Sequence, residues 1–170
     1  MIARSAVVAL LIVTIALVQT SLLPYLIFSG FRPDLLLLVT IAFALRDGLL
    51  SGLRVGFASG ILVDLLLNES PVGLSALVFV GVAYAVGVAR PYLAPESFTA
   101  PIIMSGLGTL LGVGGYGVLG AVLAEEPTAM ALIVQAAIVS ALYAVLLAPI
   151  VVGVVRRLSD QFPAEQSQMG

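Results

Sequence analysis

The sequence contains no cysteine and no histidine, and charged residues make up only 9% of its 170 positions. Without cysteine there is no disulfide and no thiol nucleophile, and without histidine the commonest metal ligand and general base is missing. We therefore expect no catalytic residue, no metal and no cofactor. All seven cations are arginines, too scattered to form a surface for nucleic acid.

Apolar residues are abundant instead, at 61% of the chain, and the mean hydropathy is +1.22. Soluble domains contain about 45–50% apolar residues and about 25% charged residues. The composition therefore predicts an all-α membrane protein whose solvent is largely lipid. The apolar run in residues 1–28 is longer than the core of a signal peptide, so we expect it to form a first membrane helix.

Charged residues and prolines divide the apolar sequence into six segments, each expected to be a transmembrane helix. The predicted helices cover residues 5–23, 33–45, 47–67, 72–89, 99–125 and 128–155. The second segment is short, and two interpretations remain open: a true span, which the alternation of charge favours, or a half-span buried among other helices. Residues 1–157 would form one transmembrane domain, and the polar tail 158–170 would be disordered in the cytoplasm.

The positions of the arginines predict that both termini lie in the cytoplasm. With the N-terminus inside, only Arg32 falls at an external helix end. The arginines at cytoplasmic ends are then Arg4, Arg46, Arg90, Arg156 and Arg157. An odd number of spans would place these arginines on both sides, so six spans is the better prediction.

The third predicted helix carries small and polar residues at four-residue spacing. They are Gly48, Gly52, Gly56, Gly60, Asp64 and Asn68. Residues four apart lie on one helix face, and glycines there allow a neighbouring backbone to approach closely, which favours packing within the chain. Asp64 either reaches the outer headgroups or has a functional partner. Arg54 lies about 15 Å from Asp64 along the helix, too far to pair with it, and is expected to snorkel to the cytoplasmic face.

A set of these residues resembles the rod shape-determining protein MreD family. The set comprises Pro33–Asp34, Ala44–Leu45, Gly48, Gly52, Gly56–Phe57, Gly60, Asp64–Leu65 and Gly73, with Gln19 and Pro24 upstream. The resemblance covers nearly the whole chain in length and helix layout, and its specific part is residues 19–90. It implies a six-helix bundle similar in fold to the S components of energy-coupling-factor transporters.

The resemblance also implies a function. Members of this family are expected to be scaffolds without catalytic activity that bind MreC within the membrane. Through MreC they support MreB, RodA and its transpeptidase in peptidoglycan synthesis and cell-shape control. The residues expected to serve partner binding or packing are Pro33, Asp34, Gly52, Gly56, Phe57, Gly60, Asp64, Asn68 and Gly73.

Two alternatives have some support in the sequence. A vitamin-binding transporter subunit would use an outer pocket lined by Asp64 and Asn68, but aromatic residues make up only 7% of the chain and tryptophan is absent. An intramembrane enzyme is favoured less. Asp47, Arg54 and Asp64 only faintly match a CDP-alcohol phosphotransferase motif. Asp47 and Asp64 also lie about 25 Å apart along one helix, too far to hold one metal ion.

Overall fold

The computed structural model describes residues 2–21, 33–67, 73–93, 99–123 and 130–162, and these form an all-helical fold. The helices are α1 (Ile2–Ser21), α2 (Leu35–Asp47), α3 (Leu49–Leu67), α4 (Leu74–Ala89), α5 (Thr99–Leu123) and α6 (Met130–Gln161). A single 3₁₀ turn, Arg90–Tyr92, extends α4. Most predicted helix ends lie within a few residues of these bounds.

Five of these helices, all except α2, are long and apolar enough to cross a membrane. With 13 residues, α2 is only about 20 Å long, whereas the hydrocarbon core of a bilayer is about 30 Å thick. Its residues from Leu36 to Ala44 are all buried, and it contacts each of the other five α-helices. The short segment is therefore the centre of the bundle and is surrounded by protein, not lipid.

Neither sequence interpretation of this segment holds in full. The N-terminal end of α2 lies beside Gln19 of α1, and Asp47 at its other end lies beside Arg4 of the same helix. Thus α2 is antiparallel to α1 and runs between the same two levels of the bundle, although it is shorter than a lipid-exposed span. A single residue, Gly48, with a φ of +90°, joins α2 to α3. Glycine adopts this left-handed conformation without the strain that a Cβ atom would cause.

The predicted boundary of the C-terminal tail at residue 158 falls inside α6. This helix continues to Gln161, and Ser159 is buried, so the start of the segment predicted to be disordered is helical. Ser159 lies two residues beyond Arg157. It is buried because its hydroxyl group donates a hydrogen bond to Asp47 at the end of α2. Residues 163–170 lie outside the described residues.

Candidate functional site

A first polar cluster lies at the N-terminus of α2 and joins that helix to α1. The Asp34 side chain accepts a hydrogen bond from the Leu37 N–H at 3.0 Å, as an N-cap residue does. The Gln19 Oε1 atom accepts hydrogen bonds from the Leu35 and Leu36 N–H groups at 2.9 and 3.2 Å. Gln19 Nε2 also donates to Asp34 Oδ1 at 3.5 Å. Two side chains therefore satisfy three N–H groups that a helix start leaves unpaired.

The Asp34 carboxyl precedes α2 and lies outside the five helices long enough to span the membrane. Burial raises the pKa of Asp34 above its ordinary value, although hydrogen bonds from Leu37, Gln19 and Leu36 act in the opposite direction. The folded protein therefore binds this proton more tightly than the unfolded chain does. Pro33, directly before Asp34, is also buried, so the whole Pro-Asp pair belongs to the interior of the bundle.

A second polar cluster connects the end of α3 to the start of α4. Asp64 is only 2% exposed. Its Oδ2 atom accepts from the Gly73 N–H at 2.8 Å, and its Oδ1 atom accepts from the Ser75 N–H at 3.1 Å. Gly73 is the N-cap residue of α4, has a φ of +104° and provides no side-chain cap. Asp64 thus supplies, from the preceding helix, the cap that α4 does not provide for itself.

This geometry identifies the partner of Asp64. It is the backbone of α4, and both carboxylate oxygen atoms are engaged inside the chain. Asn68, predicted to belong to the same site, lies outside the described residues.

Three glycines of α3 lie where the neighbouring helices come closest. A Cβ atom added to Gly52 would lie 2.6 Å from Ala44 Cβ, and one added to Gly56 would lie 2.9 Å from Thr40 Cγ2. A Cβ atom on Gly60 would lie 2.3 Å from Ala76 Cα. Real Cβ contacts are never this short, so the glycine face of α3 is in backbone contact with α2 and α4. These glycines therefore pack within the chain and leave no room for a second molecule.

A third cluster lies at the opposite end of the bundle, and sequence reasoning did not identify it as a site. Arg4 Nη2 of α1 contacts Asp47 Oδ2 of α2 at 2.5 Å, and Ser159 Oγ of α6 donates to the same oxygen at 3.1 Å. Only 6% of the Asp47 side chain is exposed. Arg46 also pairs with Asp160 of α6. The start of α1 and the end of α6 therefore meet the end of α2, at the same end of the bundle.

The turn between α2 and α3 completes this third cluster. The Arg90 guanidinium, at the end of α4, donates to the Arg46 carbonyl oxygen at 2.9 Å. It thus pairs one of the carbonyl groups that the C-terminus of α2 leaves free. A Cβ atom on Gly48 would lie 2.9 Å from Arg90 Nη1. The positive φ explains why this position of the predicted stripe is glycine, because the flexible Arg90 side chain could move aside.

One face of α3 points away from the interior of the bundle. Phe57, predicted to be a partner or packing residue, is 58% exposed. Arg54 is also exposed, and within the described ranges it makes no ion pair or hydrogen bond. Leu50 and Leu65 lie on the same helix face and are 47% and 62% exposed. Since this face is not covered by α2 or α4, it is the part of α3 that is available to other molecules.

A comparison with protein families identifies the class of protein to which these helices belong. The model of the rod shape-determining protein MreD matches residues 2–158. The chain belongs to the MreD family. No curated protein and no solved structure matches it.

The match to the MreD family extends over all six helices of the bundle. It includes the two clusters formed by Asp34 and Asp64 and the buried Asp47 of the third cluster, and it ends one residue before Ser159. Family membership implies a role in rod shape determination, and the long apolar helices make this chain a membrane protein.

The transporter-subunit alternative would require a pocket near Asp64. Within the described residues, a shallow, open apolar hollow lies on α6, formed by residues between Met130 and Val139, with Gln135 as its polar group. This hollow is on the surface of a single helix, and none of its lining residues comes from α3. No group of three or more histidine, cysteine, aspartate or glutamate residues that could hold a metal ion is found among the described residues.

Proposed function

We propose that this MreD-family chain is a membrane scaffold of the cell-elongation complex, without catalytic activity of its own. In this proposal it binds the membrane protein MreC and so supports the filament MreB, the glycosyltransferase RodA and its transpeptidase. The cellular result is peptidoglycan synthesis along the side wall and control of cell shape. The family match over residues 2–158 is the observation that carries the proposal.

The hydrogen bonds of the buried carboxylates support a scaffold function. A general acid, a general base or a metal ligand needs an oxygen atom free to meet the substrate or ion. Both oxygen atoms of Asp64 accept backbone N–H groups, and Asp34 caps α2. Asp47 is held by Arg4 and Ser159. These groups stabilise the arrangement of the helices, which is what a rigid docking platform requires.

We further propose that both termini are cytoplasmic and that the membrane is the bacterial cytoplasmic membrane. Arg4, Arg46 and Arg90 belong to the third cluster, and Arg156 and Arg157 lie near the same end of α6. An excess of arginine marks the cytoplasmic side of membrane proteins. Reporter fusions at residues 1 and 170 test this orientation, and reporters on opposite sides of the membrane would contradict it.

The similarity of fold to energy-coupling-factor S components, which the family resemblance implies, belongs to the same proposal. An experimental structure of the chain, compared with that class of subunit, is its test.

Purification of the full chain in mild detergent, after co-expression with the MreC of the same organism, tests the scaffold function directly. We expect MreC to be retained on the tagged chain, and MreB and RodA to be retained when they are co-expressed. A pair of ATPases with a coupling subunit in place of MreC would contradict the proposal and support the transporter alternative. A bound vitamin detected by mass spectrometry would do the same.

A further inference from the structure

The third cluster carries more positive than negative charge. Its carboxylate at Asp47 pairs with Arg4. The carboxylate of Asp160 pairs with Arg46. Three further arginines at this end of the bundle make no ion pair within the described residues, and they are Arg90, Arg156 and Arg157. Five arginines against two carboxylates leave three positive charges uncompensated in this part of the chain.

The exposure of the arginine side chains fixes the level of the third cluster in the membrane. Arg90, Arg156 and Arg157 are exposed. The side chain of Arg46 is 46% exposed although it is paired. Exposed guanidinium groups are too costly for the hydrocarbon core of a bilayer, so this end of the bundle lies among the lipid headgroups. Tyr92, which is 88% exposed in the same 3₁₀ turn as Arg90, is a residue type enriched at that level.

The exposed arginines lie around the end of α2. Arg90 reaches over from α4 and donates to the Arg46 carbonyl oxygen at 2.9 Å, and its guanidinium has no other acceptor within the described residues. On α6, Arg156 and Arg157 precede Asp160 by four and three residues, so they lie on the same side of that helix. Asp160 in turn contacts Arg46. These four arginines therefore form one basic rim (Arg46, Arg90, Arg156 and Arg157) from the end of α4, past the end of α2, to the end of α6.

The surface next to the basic rim indicates what kind of anion fits. A guanidinium group matches a phosphate group, which it can bind through two parallel hydrogen bonds. On α6, an exposed apolar strip runs into the membrane on the face that ends at Arg157. The strip consists of Leu146, Ile150 and Val154, which are 72%, 65% and 44% exposed. A ligand with a phosphate group and acyl chains covers both parts, whereas an acidic peptide from the aqueous side would cover the arginines alone.

We propose that the basic rim binds the phosphate groups of anionic phospholipids, whose acyl chains lie along the apolar strip of α6. Charge complementarity favours this occupant, because basic groups between membrane helices on the cytoplasmic side bind acidic headgroups. The bound phosphate compensates the charge that Asp47 and Asp160 leave over. The inference goes beyond the proposed scaffold function and does not depend on MreC.

Native mass spectrometry of the full chain in mild detergent tests the lipid site. The chain is titrated with phosphatidylglycerol, which is anionic, and with phosphatidylcholine of the same acyl chains, which has no net charge. We expect phosphatidylglycerol to bind at least about tenfold more tightly, because two or more arginines contribute about fivefold each near a membrane surface. Higher ionic strength is expected to reduce the difference, since the arginines are exposed.

Substitutions locate the site on the rim. Arg157→Gln is expected to weaken the binding of phosphatidylglycerol about fivefold and to leave that of phosphatidylcholine unchanged. Because Arg157 has no partner within the described residues, this variant is expected to keep the thermal midpoint of the chain. The double variant Arg90→Gln/Arg157→Gln is expected to weaken it about twentyfold. Arg32→Gln is the matched control, because it removes the same charge at the end that the sequence predicts to be external, and it is expected to change neither affinity.

Three results would overturn the inference. Equal affinities for the two lipids would show that the rim does not recognise the headgroup charge. Equal losses in Arg157→Gln and Arg32→Gln would show that only the net charge of the chain matters. Displacement of phosphatidylglycerol by an equal concentration of glycerol phosphate would identify a site for soluble anions in place of a lipid site. Equal lipid affinities in a chain that still retains MreC would overturn the rim and leave the proposed function intact.

Discussion

The closest helix contact in the bundle lies at Gly60, and substitution there provides a direct test of the packing. A Cβ atom at this position would lie 2.3 Å from Ala76 Cα and 2.5 Å from Ala76 N. Both atoms belong to the backbone, so no side-chain rotation can relieve the overlap. To reach an ordinary contact of about 3.5 to 4.0 Å, α3 and α4 must separate by more than 1 Å.

The expected magnitude follows from two contributions. Forcing an extra carbon atom into a well-packed interior costs about 1–3 kcal/mol. Separation of the helices also weakens the Asp64 cap, because Asp64 lies one turn after Gly60 and Ser75 precedes Ala76. Loss of a helix cap costs about 0.5–2 kcal/mol. These contributions sum to about 1.5–5 kcal/mol, and the better helix propensity of alanine offsets about 1 kcal/mol, so we expect Gly60→Ala to lower the free energy of unfolding by about 0.5–4 kcal/mol.

Gly81→Ala is the matched control, because it makes the same change on the outer face of α4. A Cβ atom there would meet no atom within 4 Å. Alanine is the better helix former by about 1 kcal/mol, so this variant is expected to be as stable as the wild type or slightly more stable. Thermal and denaturant unfolding of the detergent-solubilised chain, followed by circular dichroism, compares the two. Equal midpoints for Gly60→Ala and Gly81→Ala would refute the close backbone packing of α3 against α4.

Substitutions of three aspartates, Asp64, Asp34 and Asp47, test the polar clusters by the same unfolding measurement. Asp64→Leu leaves two buried N–H groups without an acceptor and is expected to cost about 2–4 kcal/mol, whereas Asp64→Asn keeps one acceptor and costs less; equal losses would contradict the capping role. Burial raises the pKa of Asp34, so its contribution to stability is complete below the ordinary carboxyl pKa and is lost as pH rises through the raised value. Asp34→Asn preserves an N-cap and should remove that pH dependence, and an unchanged pH profile would exclude Asp34 as its source. Asp47→Leu leaves Arg4 unpaired in a mostly buried place. It should therefore lower the free energy of unfolding more than the double variant Arg4→Leu/Asp47→Leu does. The reverse order would show that the ion pair does not stabilise the fold.

The positions of the helices were predictable because few residue types end a membrane helix. Prolines and arginines interrupt long apolar runs, and the predicted fourth helix, residues 72–89, has the same end as the observed Leu74–Ala89. The predicted sixth helix ends at residue 155, but α6 continues to Gln161. The missing turn contains Arg156, Arg157 and Asp160, which are unfavourable in lipid, and Asp160 pairs here with Arg46 at the end of α2. Hydropathy alone does not report such a pairing.

The central position of α2 could not be predicted from its sequence. Lipid tails and a protein interior are almost equally apolar, so a helix of leucine, valine and alanine looks the same in either surrounding. Its length was the informative signal, because 13 residues are too few for a helix that crosses the bilayer in contact with lipid. The cap by Asp34 is local, because Leu37 is only three residues further along the chain, but the capping role of Asp64 could not be predicted from the sequence. Each carboxylate is paired with N–H groups at the start of a helix, and only the folded arrangement brings Asp64 to the next helix.

Helices in a bilayer have little hydrophobic reason to associate, so close backbone contact and hydrogen bonds must hold this bundle together. Gly52, Gly56 and Gly60 provide the close backbone contact, and Asp34 and Asp64 provide the hydrogen bonds. Residues that hold the interior are not free to hold a partner. A membrane partner must therefore bind through surfaces that the interior leaves unused, and the glycine face of α3 is not one of them.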